Sequence, residues 1–174
     1  DLFPTPPMRV FLVRHGDADA DIPDGLDDEA RALTARARLA LPGHFQNVSA
    51  LIGTPDVMVM SPLVRAVQTA TILAQVVGYE GPLRSTRMLF PDGPVGALEA
   101  LLAEHDGKAV ALIGHQPSMG AAAAHFLGMS SFPKPVTPGT VIGIERPEGG
   151  GVGTLFLYAA PGQPIVRALE LEAP

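Results

Sequence analysis

The chain has 174 residues, a formal net charge of -6 and no cysteine, so disulfides, thiolate nucleophiles and cysteine-based zinc sites are excluded. A surface this acidic disfavours general binding to nucleic acid or to an anionic membrane, and no apolar stretch approaches the roughly 20 residues that span a bilayer. Residues 1–7 have neither the basic start nor the apolar core of a signal peptide. We therefore predict a cytoplasmic protein with one domain over residues 1–174 and its core at about 8–160.

The first half of the chain alternates apolar runs with helical patterns. Residues 8–13 form a short, mostly apolar run rich in β-branched side chains, which predicts a buried strand. Thr34 is a suitable N-cap for a helix from Ala35 towards Ile52. Because Pro42-Gly43 lies inside that pattern, we expect a kink there or two short helices. The next predicted elements are a strand over residues 56–60 and a helix that follows Pro62 and stops near Gly78.

The second half continues the alternation and ends in two strands. Residues 83–94 show no regular pattern, and they are followed by a helix over 95–105, a strand over 109–113 and a helix over 117–127. Strands over 140–145 and 154–158 flank Gly149-Gly150-Gly151 and predict a hairpin. This order predicts an α/β fold, a three-layer α/β/α sandwich whose central sheet is mostly parallel and ends in a C-terminal hairpin.

Charged side chains follow three of the predicted strands, and ligands of such sheets bind beyond the carboxyl ends of the strands. Arg14 and His15 follow the first strand, Arg65 lies in the first turn of the helix after the second, and His115 follows the third. Two guanidinium groups can bind a dianion bidentately, while one imidazole acts as nucleophile and the other as hydrogen-bond donor. Gly16 allows the backbone to approach a ligand closely. Each residue alone has an ordinary structural role, but together they predict a phosphoryl site.

The motifs around these residues resemble those of the histidine phosphatase superfamily, which has the phosphoglycerate-mutase-like fold. Arg14-His15-Gly16 resembles its signature, and residues 61–70 resemble its second motif, S-P-x-x-R-x-x-Q-T. Gly114-His115 resembles the element with the second histidine, and Leu33-Thr34 the pair that precedes the first helix. Within the superfamily, residues 89–93 and the small size resemble the SixA-type phosphohistidine phosphatases.

This resemblance implies the role of each residue in the predicted site. His15 would be the nucleophile that becomes phosphorylated, while Arg14, Gly16, Arg65 and His115 would bind the phosphoryl group. No metal and no organic cofactor is implied. The implied partner is a protein phosphohistidine, with no nucleic acid and no membrane. Two alternatives stay open: a small phosphomonoester as the substrate, or a non-catalytic phosphate-binding module.

The motifs do not assign a general acid to the predicted site. Many members of the superfamily have an acidic residue at a stretch that corresponds here to Arg87-Met88-Leu89, which has none. Asp92 is a candidate acid because it lies nearby in the loop. Since Asp-Gly favours turns, we predict that Asp92 is a turn residue before Gly93. Another departure is Ala37, where the family usually has glycine.

Overall fold

A computed structural model describes residues 5–170, and a six-stranded sheet runs through them. The strands are β1 (Met8–Arg14), β2 (Val57–Met60), β3 (Leu83–Ser85), β4 (Ala109–Gly114), β5 (Val141–Arg146) and β6 (Thr154–Ala159). The α-helices of the described residues are α1 (Ala35–Ile52), α2 (Val64–Val77), α3 (Val95–Ala103) and α4 (Ser118–Leu127). Two single-turn 3-10 helices cover Asp28–Ala30 and Arg87–Leu89.

The strand order is β3-β2-β4-β1-β5-β6. The first four strands in that order are parallel to one another, whereas β5 pairs antiparallel with β1 and forms the hairpin with β6. The predicted mostly parallel sheet and its C-terminal hairpin are therefore confirmed. No helix of residues 5–170 has the length and apolar character to cross a membrane.

The alternating side chains of β1 show how the helices form two layers around the sheet. Phe11 and Val13 pack in a cluster with the buried residues of α1 and α2. Val10 and Leu12 pack on the other face with the buried residues of α3 and α4. Because successive side chains of a strand point to opposite faces, this continuous apolar run is typical of a strand that is buried on both sides.

Helix α1 runs without a break through Pro42, so the expectation of two short helices is wrong. Proline has no N–H, so the carbonyl group of Arg38 loses its helical hydrogen bond. Both Arg38 and Pro42 are exposed, and water can therefore bind that carbonyl group. The helix is held on both sides of Pro42 by one buried face, which comprises Ala37, Leu41, Phe45, Val48 and Ile52. Tertiary packing thus outweighs the local effect of the proline.

Residues 83–94 are more regular than their pattern indicates. Leu83–Ser85 forms β3, which pairs in parallel with the outer edge of β2. The N–H of Thr86 then donates to the carbonyl of Met60 at 2.9 Å, before the 3-10 turn begins. The pairing partner therefore makes this three-residue strand, and no propensity within so short a segment could predict it.

Candidate active site

The strand register brings the predicted site residues to one edge of the sheet. Arg14 is the Cα partner of Gly114 in the β1–β4 pair, and the N–H of His15 donates to the carbonyl of Gly114 at 3.0 Å. The N–H of Ser61, just after β2, donates to the carbonyl of Ile113 at 2.9 Å. Parallel pairing therefore places the residues that follow β1, β2 and β4 side by side.

Arg14, His15, Arg65 and His115 line one cavity of about 220 Å³ at this edge. Its other lining residues are Asp17, Ala18, Arg31, Pro91, Gln116 and Pro138. Arg65 reaches the cavity from the first turn of α2 and is 4% exposed. The structure thus gathers the four side chains that the sequence analysis selected, and it adds a third arginine.

Gly16 lies behind the cavity, packed against α1 and α2. Its N–H donates to Oγ1 of Thr69 at 3.0 Å, and a Cβ on Gly16 would stand 2.7 Å from the side chain of Leu41. Gly16 is not among the residues that line the cavity. The lack of a side chain therefore serves the packing of α1 against the end of β1, in addition to any approach to a ligand.

His15 is held in one tautomer by its own loop. Its Nδ1 lies 2.6 Å from the carbonyl oxygen of Gly16, so Nδ1 carries the hydrogen and donates it, and Nε2 keeps a lone pair. The pKa of His15 is lowered to about 4, mainly by burial. The hydrogen bond to Gly16 opposes this shift, and the positive charges of Arg65, Arg14 and Arg31 add to it. The imidazole is therefore neutral near pH 7.

His115 is a second buried neutral imidazole beside the first. The two rings lie 4.9 Å apart between centroids at an angle of 60°. Burial, His15 and Arg65 lower the pKa of His115 to about 3. Its Nε2 lies 2.7 Å from Oγ of Ser61, whereas its Nδ1 is buried with no hydrogen-bond partner. Because Oγ of Ser61 already accepts from the N–H of Leu63 at 3.3 Å, we assign the Ser61 hydroxyl as donor to Nε2, and Nδ1 then carries the ring hydrogen.

Asp28 in the first 3-10 helix joins two of the arginines. Arg65 donates to the Asp28 carbonyl at 3.0 Å and to its carboxylate at 3.2 Å, and Arg31 Nε donates to the same carboxylate at 2.7 Å. The side chain of Asp28 is 61% exposed, while that of Arg65 is 4% exposed. The carboxylate therefore offsets part of the arginine charge at the solvent side of the cavity. The pKa of Asp28 is lowered, and the hydrogen bond from Arg31 contributes most to this shift.

Sequence reasoning missed Arg31. It lies in the loop between β1 and α1, where no strand or helix periodicity gives a register, so spacing could not place it next to His15. The loop is ordered instead by backbone contacts: the N–H of Asp19 donates to the carbonyl of Ala32, and that of Thr34 to the carbonyl of Asp17. These contacts hold Arg31 at the rim of the cavity.

Three buried nitrogens without a hydrogen-bond partner belong to side chains of this cavity. They are Nε of Arg14, Nε of Arg65 and Nδ1 of His115. Buried donors are almost always paired in folded proteins, and an unpaired one has a cost in stability. A fourth nitrogen of this kind, Nε of Arg146, lies elsewhere, and an anion in the cavity would bring acceptor atoms close to the other three.

Asp92 lies outside the cavity. It is exposed in a turn that is closed by the N–H of Gly93 and the carbonyl of Phe90 at 2.9 Å. Its neighbour Pro91 lines the cavity, but Asp92 does not, and the lining carboxylate is that of Asp17. Within residues 5–170, no group of three or more His, Asp or Glu side chains is arranged to hold a metal ion.

Comparison with known proteins identifies the family of this site. No family model matches the sequence. An uncharacterized protein of Picosynechococcus sp. is 37% identical over 117 residues, which are 65% of this chain and 69% of that protein. The protein histidine phosphatase SixA, in a complex with tungstate, has a TM-score of 0.79 and 25% identity, covering 88% of this chain and 97% of that one.

More distant solved structures share the fold. The mycobacterial glucosyl-3-phosphoglycerate phosphatase has a TM-score of 0.64 and 15% identity over 87% of this chain and 98% of that one. The phosphoserine phosphatase of Entamoeba histolytica, in a complex with 3-phosphoglyceric acid, has a TM-score of 0.65 and 14% identity over 89% of this chain and 98% of that one. All three solved structures are named phosphatases, and SixA matches over nearly the whole fold. As the motifs predict, the chain belongs to the histidine phosphatase superfamily.

Proposed function

We propose that this chain is a metal-independent phosphatase that forms a phosphohistidine on His15 and takes the phosphoryl group from a protein phosphohistidine. The observation that supports it most is the set of three unpaired buried donors, on Arg14, Arg65 and His115, around a neutral imidazole. A phosphoryl group brings several acceptor oxygens and negative charge, which these donors lack in the free protein.

In the first step, Nε2 of His15 attacks phosphorus in line with the leaving nitrogen. The hydrogen bond from Nδ1 to Gly16 fixes the ring and keeps the lone pair on Nε2. A bond forms between Nε2 and phosphorus, the bond between phosphorus and the substrate imidazole breaks, and the protonated substrate leaves as neutral imidazole. The phosphohistidine on His15 is then cationic at the ring and anionic at the phosphoryl group.

In the second step, water attacks the phosphoryl group and His15 leaves as the neutral ring. The water proton passes to the phosphate, so inorganic phosphate and the original enzyme are produced. Arg14, Arg65 and Arg31 stabilise the charge that spreads over the equatorial oxygens, and Nδ1 of His115 donates to one of them. Each such donor is expected to contribute about 10²–10³ in rate.

The leaving group favours phosphohistidine over a phosphomonoester. An alkoxide needs a general acid, which typically supplies about 10²–10⁴ in rate, whereas a protonated phosphohistidine expels neutral imidazole. Asp92 does not line the cavity, and we propose that it is a turn residue. The name of SixA, a protein histidine phosphatase whose solved structure is similar to this chain, agrees with this choice.

A phosphomonoesterase is the second candidate function, and the carboxylate of Asp17 is the observation that favours it. Asp17 lines the cavity beside Arg14 and His15, where an acid could reach a leaving oxygen. This function requires fast turnover of alkyl phosphates. A non-catalytic phosphate-binding module is less well supported, because anion binding alone has no use for a neutral imidazole with a free lone pair.

Trapping of the phosphoenzyme tests the proposal. The protein is mixed with a histidine-phosphorylated peptide that carries radioactive phosphate and is quenched in alkali, where phosphohistidine is stable. We expect label on the wild type and on His105→Ala, a histidine outside the cavity, and none on His15→Ala. Turnover by His15→Ala, or turnover of the wild type without any label, would contradict the mechanism.

The cytoplasmic location stays a prediction from the sequence.

A further inference from the structure

A groove of about 540 Å³ lies along α4, next to the candidate active-site cavity. Gln116 lines both the cavity and the groove, so the two spaces meet at this side chain. Val136 lines the groove as well, and its carbonyl oxygen accepts a hydrogen bond of 2.8 Å from Arg14. A molecule in the groove would therefore lie next to the phosphoryl site.

One wall of the groove is the helix and the other is the loop of residues 129–136. The helix wall is low because Gly120, Ala121 and Ala124 have small side chains. The opposite wall contains Met129, which is 39% exposed, and the ring of Phe132. The space between the walls is open to an extended chain with apolar side chains.

The loop wall is fixed in place before anything binds. The hydroxyl of Tyr158, on β6, donates to the carbonyl of Pro135 at 2.6 Å. The ring of Phe132 lies 6.1 Å from that of Tyr158, and Nζ of Lys134 lies 5.5 Å from the same ring. Three contacts of one tyrosine thus anchor residues 132–135, and a preformed site binds with a lower cost in entropy.

Lys134 gives the groove a positive charge that lies against the ring of Tyr158 but has no carboxylate partner among residues 5–170. The chain as a whole has a net charge of -6. Near the junction with the cavity, Oε1 of Gln116 accepts from the N–H of Gly120 at 2.7 Å, which leaves the amide NH₂ to donate to a peptide carbonyl.

We infer that the groove binds the stretch of polypeptide that flanks the phosphorylated residue of a protein substrate, with an acidic side chain at Lys134 and an apolar side chain against Phe132. This inference rests on the proposed function. It adds that the enzyme also binds the residues next to the phosphorylated one, on the α4 side of the cavity. A second copy of this protein is the other occupant that the test addresses.

The test compares two nine-residue peptides, each phosphorylated on a central histidine. One has Leu and Glu on both sides of that histidine, and the other has Leu and Lys. The kcat/KM for each peptide is divided by that for phosphoramidate, which is too small to reach the groove. The variants are Lys134→Glu and, as a control with the same change of net charge, Lys108→Glu, which is exposed just before β4 at the opposite end of the strands.

We expect the wild type to prefer the acidic peptide and Lys134→Glu to prefer the basic one, each by about fivefold, as one exposed charge pair allows. Lys108→Glu should keep the preference of the wild type. Equal relative kcat/KM values for the two peptides, or the same peptide preference in both variants, would overturn the inference. Turnover of phosphoramidate in the same experiment would still support the proposed phosphatase activity. No turnover of any substrate would overturn both proposals. Unchanged ratios with a Lys134→Glu protein that loses a dimer in sedimentation would assign the groove to a second copy instead.

Discussion

The two buried histidines make the stability of this protein depend on pH. Unfolded histidine has a pKa of about 6.5, whereas burial lowers the pKa of His15 to about 4 and that of His115 to about 3 in the folded chain. The unfolded state therefore binds more protons than the folded state as the pH falls through 6.5. The part of the free energy of unfolding that depends on these two histidines is therefore full above about pH 6.5, and it decreases as the pH falls toward their pKa values in the folded protein.

The size of this loss follows from the unfolded state alone. At about pH 5 both rings are still neutral in the folded protein, while each unfolded histidine gains RT ln(1 + 10^1.5), about 2 kcal/mol, from protonation. The free energy of unfolding should thus fall by about 2 kcal/mol for each histidine between about pH 7.5 and pH 5. His44 adds to the loss, since burial lowers its pKa as well.

Urea unfolding at the two pH values measures this dependence. His115→Gln should be destabilised at pH 7.5 but should lose about 2 kcal/mol less than the wild type on the change to pH 5. Ser61→Ala is the control, because it removes the hydrogen-bond partner of His115 and leaves the titrating ring. It should be weaker at both pH values with nearly the wild-type difference. A pH dependence in His115→Gln equal to that of the wild type would refute the reasoning.

Three further predictions concern catalysis. Arg65→Lys should lose about 10²–10³ in kcat, because a point charge cannot replace a planar guanidinium with several donors; near-full activity on a histidine-phosphorylated peptide would place Arg65 outside the reaction. Asp92→Asn should hydrolyse that peptide at nearly the wild-type rate, and the wild type should turn over alkyl phosphates slowly. Fast alkyl phosphate hydrolysis that disappears in Asp92→Asn would make the protein a phosphomonoesterase. Activity should persist in excess chelator, and a loss that magnesium restores would contradict a metal-independent mechanism.

The sequence predicted the main elements because each has a strong local pattern. The apolar run that becomes β1 and the turn at Gly149-Gly150-Gly151 needed no partner to be recognised. The two short helices expected at Pro42 and the irregular segment expected at β3 are wrong, because packing with α2 and pairing with β2 override local propensity there. The strongest local patterns therefore gave the architecture, and the errors lie where tertiary contacts decide.

The same contrast between local patterns and tertiary contacts applies to the candidate active site. His15 and His115 follow strands, so the rule for parallel sheets placed them at one edge. Arg31 and Asp28 lie between β1 and α1 in a segment without periodicity. The bonds from Arg31 and Arg65 to Asp28 depend on how that segment folds back towards α2. His44 has a helical position that gave no sign of its contact of 2.9 Å with the carbonyl of Gly139. Loop contacts of this kind have no signature in spacing.

The central place of β1 has a consequence for how the protein is made. β1 lies between β4 and β5 in the sheet, and the residues of both neighbours are synthesised roughly 100 positions or more after it. Neither edge of β1 can pair until most of the chain has been synthesised, and such long-range pairing is slow to form. The carbonyl groups of Arg14 and His15 also receive the N–H of Gly139, just before β5. His15 therefore gains its final surroundings only when β4 and β5 are in place, and phosphoenzyme formation on a ribosome-bound chain would report the moment at which both have paired with β1.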